Sequence, residues 1–393
     1  MERIYVQELL DRLSEKRRFI QVLLGPRQVG KTTIIKQLTK KLTIPHLFIS
    51  ADESLDSDGV WIEQQWQSLR LRMDTQNWSE AVLIIDEIQR IHDWSLVVKK
   101  LWDEDSFQDR SLKVVLWGSA KIVLQKGITE SLAGRFEEWF IPHWSFSEMK
   151  QAFNWDASTY AWFGGYPESA DLIKDETRWK DYVRNSLIET VLSKDVFMLN
   201  SIQKPALFRN LFELACTYSG NIVSYTKLLG QLTDAGNTTT LTHYQTLLES
   251  AGLVSGLEKY SPNLIRQRSS SPKWQIHNMA LMSSMSSKTF MDIQSDFVAW
   301  GHVIESVIGT HLMSAYQKGA IELFYWRDGN DEVDFVIKKG EKISGIELKS
   351  GQKKSNRGMG AFKNKFPEAK TILVGISGIP WQEFLENEPE VYL

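Results

Sequence analysis

Residues 25–33 read Gly-Pro-Arg-Gln-Val-Gly-Lys-Thr-Thr, and this segment constrains the fold more than any other part of the chain. An apolar run at residues 19–24 precedes it, and a helical pattern over residues 32–42 follows it. The order strand, glycine loop, helix is the context in which the spacing G-x-x-x-x-G-K-[ST] has structural meaning. The sequence therefore predicts an α/β domain in which this loop joins a strand of a parallel sheet to a helix.

The residue types of this loop predict that it binds the phosphates of a nucleotide. Backbone N–H groups of such a loop, together with the N-terminus of the following helix, face the phosphate oxygens. Lys31 is predicted to reach the β- and γ-phosphates, and Thr32 to hold Mg²⁺. The other loop residues predicted to contact the nucleotide are Gly25, Pro26, Arg27, Gln28, Val29, Gly30 and Thr33.

Composition limits the class of protein. At 393 residues, with 42% apolar and 24% charged residues, the chain has the size and balance of a globular protein of two or three domains. Its formal charge of −3 provides no overall attraction for nucleic acid. Cys216 is the single cysteine, which excludes an intrachain disulfide and favours a reducing cytoplasm. We expect no membrane span and no signal peptide, because no apolar run approaches ~20 residues and the first residues lack an apolar core.

Three further apolar runs, at residues 46–50, 81–85 and 113–117, predict strands of the same sheet. Asp86 and Glu87 follow the second run, and Gly118 and Ser119 follow the third. Because ligands bind beyond the carboxyl ends of parallel strands, we expect these residues to meet the phosphate loop. Asp86 is then predicted to hold the metal ion and Glu87 to polarise an attacking water. The alternative is a solvated cap between strand and helix.

These motifs resemble those of the AAA-type ATPases of the AAA_14/DUF4143 group. The resemblance rests on the phosphate loop and on segments at 85–89 (Ile-Asp-Glu-Ile-Gln), 117–120 (Trp-Gly-Ser-Ala), 131–135 (Ser-Leu-Ala-Gly-Arg) and 163–168 (Phe-Gly-Gly-Tyr-Pro-Glu). It implies ATP as the nucleotide, Asp86 as the Walker B aspartate, Glu87 as the catalytic glutamate and Ser119 as a sensor. Relatives of this type often form rings, so a homo-oligomer is an expectation.

Arg135 is a further candidate for the active site. An arginine that approaches the γ-phosphate, from the same chain or from a neighbouring subunit, stabilises charge in the transition state. The alternative is an ion-paired surface arginine near Glu137 and Glu138. The sequence does not decide between these two roles.

Residues 155–260 have helical periodicity and end in a short strand-like segment. The order helix, turn, helix, hairpin predicts a winged helix. Its second helix offers Thr238, Thr240, Thr242, His243 and Gln245 but no arginine or lysine, although a DNA-reading helix normally presents basic groups. DNA binding and protein contact therefore both remain open for this segment.

The carboxyl-terminal part resembles the PD-(D/E)xK nuclease-like fold. Glu305 lies in a predicted helix, and Asp334, Glu347 and Lys349 lie in the strands that follow. In such a site, carboxylates gather Mg²⁺ and a lysine orients water or stabilises charge on the phosphate. Alternation along a strand places Glu347 and Lys349 on one face. The alternative is a simple salt bridge between these two side chains.

Together these patterns predict three domains: an AAA-type ATPase domain at 1–155, a helical and winged-helix region at 156–270 and a nuclease-like domain at 271–393. The first functional hypothesis is a Mg²⁺-dependent ATPase that couples nucleotide state to a carboxyl-terminal part that binds or cleaves DNA or RNA. The competing hypothesis is a nucleotide-gated protein-interaction switch with little turnover and an inactive nuclease-like domain.

Overall fold

The computed structural model describes residues 1–53, 58–118, 131–195, 202–232, 236–263, 267, 270–349 and 357–393. It divides into two compact units, Met1–Ile141 and Pro142–Leu393. The second unit includes both sides of the predicted boundary at residue 270, and the predicted domain limits remain predictions. Among the described helices, none combines the length and the apolar character needed to cross a membrane.

The first unit is a parallel sheet between two layers of helices. Its five strands are in the order β2-β3-β4-β1-β5, and every neighbouring pair is parallel. The strands are β1 Ile20–Leu24, β2 His46–Ser50, β3 Glu80–Asp86, β4 Ser111–Trp117 and β5 Phe136–Phe140. The helices are α1 Tyr5–Ser14, α2 Lys31–Lys41, α3 Gly59–Gln76 and α4 Trp94–Phe107. The predicted strands and the helix after the loop are confirmed.

Burial on both faces explains why the central strands β1, β3 and β4 are mostly apolar. Along β3, Leu83 and Ile85 pack into a core with α3 and α4, whereas Val82 and Ile84 pack into a second core with α1 and α2. Successive side chains of a strand point to opposite faces, so both sets must be apolar. Helices therefore cover both faces of the sheet, and the loops that follow β1 and β3 lie at its carboxyl edge.

The second unit begins with three helices, and a pair of glycines, Gly164 and Gly165, lies between the second and the third of them. The helices before residue 200 are α5 Phe146–Phe153, α6 Ala157–Phe163 and α7 Glu176–Tyr182. After α7, π-helical turns at Val183–Ile188 and Val191–Asp195 interrupt the α-helical register. Asn278 is buried and accepts hydrogen bonds from the backbone N–H of Gly165 and of Ala280, each at 3.1 Å.

Three helices and a two-stranded antiparallel sheet follow. They are α8 Pro205–Thr217, α9 Tyr225–Leu229, α10 Thr238–Ser250, β6 Val254–Leu257 and β7 Lys273–Ile276. Gln245 was expected on the outer face of α10, but it is buried and bonds to the hydroxyl of Tyr225. The predicted domain limit at residue 270 falls between the two paired strands.

The remainder of the unit is a four-stranded sheet packed with helices. The helices are α11 Met279–Met285, α12 Phe290–Ser295, α13 Phe297–Gln317, α14 Arg357–Lys365 and α15 Trp381–Glu386. The strands are β8 Glu322–Asp328, β9 Asp331–Lys339, β10 Lys342–Lys349 and β11 Lys370–Gly375, in the order β11-β10-β9-β8. β8, β9 and β10 are antiparallel neighbours, and β11 pairs with β10 in parallel. The predicted sequence of one helix and three strands is therefore present.

Candidate active site

The phosphate loop leaves the end of β1 and enters α2 at Lys31. Gly30 has a φ of 89°, a left-handed conformation that glycine adopts without strain. A Cβ on Gly25 would overlap the backbone carbonyl oxygen of Ile141. The loop is also held by the buried Arg3, whose Nη1 donates to the carbonyl of Val29 at 2.9 Å. Sequence reasoning missed Arg3, since nothing in the motif points to a residue before α1.

The side chain of Lys31 is buried inside this loop. Its Nζ donates to the carbonyl oxygens of Gly25 at 2.9 Å and Pro26 at 2.5 Å. Thr32 and Thr33 are exposed in the first turn of α2. A positive charge therefore sits against the loop backbone, with hydroxyl groups at the helix N-terminus, where an anion is stabilised.

Asp86 and Glu87 lie at the same edge of the sheet as the phosphate loop. The register places Leu23 beside Trp117 and Trp117 beside Asp86. With neighbouring strands about 4.8 Å apart, the backbone of Asp86 lies roughly 10 Å from that of Leu23, at the end of β1. The structure thus brings the predicted metal ligand and the predicted catalytic glutamate to the loop. Ser119 lies outside the described residues.

The electrostatic environment of Asp86 suits a cation. Its Oδ1 is buried, and no donor within the described part of the chain reaches it. Burial, and next the charge of Glu87, raise the pKa of Asp86 to about 7, although Lys31 acts in the opposite direction. A buried carboxylate oxygen without a donor is costly unless a positive partner balances it. The residues present therefore fit Mg²⁺, with Asp86 and the hydroxyl of Thr32 as the side chains that would hold it.

Glu87 has a backbone conformation that is uncommon for a residue with a side chain. Its φ of 49° is left-handed, and it precedes a short 3₁₀ helix, Ile88–Arg90. Nε2 of Gln89 donates to Oε2 of Glu87, and a Cβ on Gly118 would overlap the Gln89 amide. Gln89 is therefore a neighbour of the predicted catalytic glutamate. Its sequence position gave no sign of this contact.

The structure does not place Arg135 beside the phosphate loop. The carbonyl of Arg135 accepts a hydrogen bond from the N–H of Ile20, the first residue of β1, whereas the loop follows the last residue of that strand. Its guanidinium forms two hydrogen bonds with Asp103 of α4, at 2.7 and 3.0 Å. A contact with a phosphate bound to the same chain would require this pair to break.

A cleft of about 980 Å³ in the second unit collects the other predicted site residues. Glu305 of α13, Asp334 of β9, and Glu347 and Lys349 of β10 all line it. Nζ of Lys349 lies 3.5 Å from Oε1 of Glu347. The four residues expected to form a nuclease-like site are therefore neighbours.

Lys273, which the sequence did not single out, also belongs to this cluster. Its side chain projects from β7, has no exposed surface, and places Nζ 2.8 Å from Oε1 of Glu305. Nζ also donates to the backbone carbonyl of Asp334 at 3.1 Å and lies 3.8 Å from its Oδ1. The other carboxylate oxygen of Asp334 accepts a hydrogen bond from the N–H of Leu348 at 2.7 Å.

Burial and the charges of neighbouring residues change the pKa values of this cluster. Burial, and then the charge of Glu305, raise the pKa of Asp334 to about 7, and Lys273 opposes this rise. Burial alone would lower the pKa of Lys273, but Glu305 and Asp334 together keep it above its ordinary value. The ammonium of Lys273 is therefore charged and is the cation that these carboxylates contact.

This arrangement does not fit a divalent metal ion. Mg²⁺ requires oxygen atoms at about 2.0–2.1 Å from a common centre. The oxygen atoms around Nζ of Lys273 instead lie at the longer distances of hydrogen bonds.

Comparisons with known proteins identify domains rather than a whole-chain family. Residues 17–150 match the model of an AAA domain, AAA_14. Residues 154–292 match DUF8612, and residues 300–380 match DUF4143, both described as domains of unknown function. The loop, the parallel sheet and the first match define the amino-terminal unit as an AAA-type P-loop domain. The expected resemblance to AAA_14 and DUF4143 is confirmed, whereas a nuclease-like domain has no support from these matches.

Similarity to solved structures is weak. The Aeropyrum pernix ORC1 protein in complex with DNA has a TM-score of 0.31 and 10% identity, covering 73% of this chain and 92% of that chain. A single-residue variant of Thermotoga maritima RuvB has a TM-score of 0.33 and 15% identity, covering 65% of this chain and 86% of that chain. At such TM-scores neither likeness carries an argument about this chain. A search of the curated proteins gives no match.

Proposed function

We propose that the protein is a Mg²⁺-dependent ATPase whose chemistry takes place at the carboxyl edge of the amino-terminal sheet. The observation that carries the proposal is Asp86, whose buried Oδ1 has no donor among the described residues. It lies at the edge of the sheet that also bears the phosphate loop. A carboxylate in this position is the ligand that a metal–triphosphate complex needs.

Each residue of the site has a role in this proposal. The backbone of residues 25–33 holds the phosphates, and Lys31 exchanges a loop carbonyl for a phosphate oxygen. Mg²⁺, when bound by Thr32 and Asp86, neutralises charge on the phosphates. Glu87 accepts a hydrogen bond from the attacking water and orients it. The amide of Gln89 competes with this water for Oε2 of Glu87.

We also propose roles for two further residues, Ser119 and Arg135. Ser119, which follows β4 in the sequence and lies outside the described residues, would sense the γ-phosphate. Arg135 would act on the nucleotide of a neighbouring subunit, because its own chain pairs it with Asp103 at the other end of β1. Mixing Arg135→Ala with Lys31→Ala tests this role, since each variant supplies what the other lacks. Turnover by the mixture but by neither variant alone would support it.

Steady-state ATP turnover by the full-length protein, with and without DNA, tests the main proposal. We expect turnover by the wild type and its loss in Lys31→Ala and Glu87→Gln. Lys36→Ala is the matched control, because Lys36 is an exposed lysine on the same helix. Absence of turnover in the wild type under all conditions would favour a nucleotide-gated interaction switch instead.

For the second unit we propose binding without cleavage. α8, α9, α10 and the β6–β7 pair have the order of a winged helix, but α10 has no arginine or lysine. Thr242 and Thr246 donate to carbonyl oxygens of their own helix, so these hydroxyls are already engaged. A protein partner fits this surface better than DNA does, because a DNA-reading helix presents basic groups.

The contact of Lys273 with Glu305 and Asp334 favours an inactive nuclease-like cleft. A nicking assay with Mg²⁺ or Mn²⁺ tests this, with Asp334→Ala and Lys349→Ala as controls. We expect no cutting above the level of these variants. Cutting by the wild type that both variants abolish would refute the proposal. A cytoplasmic location and a homo-oligomeric state remain predictions from the sequence.

A further inference from the structure

Two acidic residues of the carboxyl-terminal cleft, Glu305 of α13 and Asp334 of β9, have a buried cation as a neighbour. This cation is the ammonium group of Lys273, which projects from β7. Its ammonium group is fully buried and lies over the ring of Phe335, 4.6 Å from the centroid. A lysine without exposed surface is stable only when acidic groups surround its charge, as Glu305 and Asp334 do here.

We propose that the ammonium group of Lys273 takes the place of the divalent cation in this carboxylate cluster, so that the cleft holds no metal. The inference rests on geometry, not on the ATPase proposal. Nζ contacts Glu305 Oε1 at 2.8 Å and the Asp334 carbonyl at 3.1 Å, which are the distances of an ammonium hydrogen bond. A metal ion at the same place would contact Nζ itself.

The neighbouring groups leave little freedom for the lysine to withdraw. Lys273 lies in the paired part of β7, opposite Leu257 of β6. Gly220 approaches Glu305 so closely that a Cβ there would lie 3.3 Å from its Oε1. Asp334 is fixed through its second oxygen by the N–H of Leu348. Lys273 is therefore a built-in part of the cluster.

Calorimetric titration of the full-length, nucleotide-free protein with Mn²⁺ tests the proposal. The first comparison uses the wild type and Asp334→Asn. We expect the same number of bound Mn²⁺ ions in both, because Asp334 binds no metal in the wild type. Loss of a bound ion in Asp334→Asn would overturn the proposal. Any Mn²⁺ held by Asp86 is common to both proteins and cancels.

The second comparison removes the lysine. Lys273→Met should gain one Mn²⁺ site per chain that the wild type lacks. The double variant Lys273→Met/Asp334→Asn should lose that site again. Lys349→Met is the matched control, because it removes the other lysine of the cleft but leaves Lys273 in place, and it should gain no ion.

A Lys273→Met variant that folds but binds no additional Mn²⁺ would overturn the proposal, since the lysine would then not be what excludes the metal. If Lys273→Met does not fold, the comparison between the wild type and Asp334→Asn still decides the question. A failure of ATP turnover would leave these outcomes unchanged, because every variant has an intact amino-terminal unit.

Discussion

Asp86 and Asp334 are the same residue type in similar electrostatic conditions, but they have different partners. Burial raises the pKa of each to about 7, and a lysine opposes the rise in both cases. Near Asp86, the ammonium of Lys31 donates to loop carbonyls, and Oδ1 of the aspartate has no donor among the described residues. Near Asp334, Lys273 and the N–H of Leu348 face its two oxygens.

If both proposals hold, an acidic residue at a strand end binds a metal only when no internal cation reaches it. The first site leaves a carboxylate oxygen for an incoming ion. The second site has its positive charge built into the chain. A buried carboxylate must be balanced in either case, and the fold decides whether the balance comes from a metal or from a lysine.

The largest expected effect concerns the internal cation. Lys273→Met should lower the free energy of unfolding by roughly 3–5 kcal/mol, because it leaves buried carboxylates without a positive partner. Denaturant unfolding measures this change. Lys338→Met is the control: it removes an exposed pair with Glu322 on the neighbouring strand and should cost less than about 1 kcal/mol. An equal loss of unfolding free energy in Lys273→Met and Lys338→Met would contradict the stabilising role assigned to Lys273.

The next effect concerns chemistry at the first site. Glu87→Gln should reduce the ATP turnover number by roughly 10²- to 10³-fold, because a neutral amide accepts the hydrogen bond that orients the attacking water much more weakly than a carboxylate does. Fluorescent nucleotide binding should stay intact. Glu80→Gln is the control at the opposite end of the same strand, where Glu80 pairs with Lys113, and should leave turnover near that of the wild type. Similar losses in both variants would indicate a structural cause.

Asp86 should make the first site dependent on pH. Below about pH 7 its carboxyl is protonated, so affinity for Mg·ATP should fall by up to about tenfold per pH unit. Asp86→Asn should remove this dependence. Binding measured from pH 5.5 to 8.5, a range that spans the raised pKa by about 1.5 units on each side, tests it. A flat profile in the wild type would contradict the assignment of Asp86.

The same pKa gives the sign of the stability effect. The folded chain binds more protons at Asp86 than the unfolded chain between about pH 4 and pH 7, so this carboxyl destabilises the nucleotide-free fold as the pH rises. Asp86→Asn should therefore stabilise the protein above pH 7 by roughly 1–2 kcal/mol after solvent screening. The gain should disappear as the pH falls towards 4.

The smallest expected effect concerns Gln89. Gln89→Ala should raise basal ATP turnover by roughly two- to fivefold, because the amide then no longer competes with water for Oε2 of Glu87. Gly118→Ala should act in the same direction, since its Cβ would displace the Gln89 amide. Gln108→Ala changes an exposed glutamine after α4 and serves as the control. A fall in turnover with Gln89→Ala would assign the amide a catalytic role.

The sequence predicted much of the first unit because local signals and burial agree there. The apolar runs around residues 20, 84 and 115 are typical of strands covered on both faces, and the glycine loop fixed their direction relative to α2. Asp86 and Glu87 follow from the same logic, since the ends of parallel strands share an edge. Arg135 did not, because strand order and the pairing with Asp103 are not local properties.

The second unit shows the opposite case. The spacing of Glu305, Asp334, Glu347 and Lys349 indicated that these residues are neighbours, and they line one cleft. The sequence could not indicate that Lys273, 61 residues before Asp334, would place its ammonium group among them. The phosphate loop is one local segment of the chain, so the sequence alone determined its residues. Lys273 reaches the acidic residues only through strand pairing and packing, so the tertiary structure decided which cation they contact.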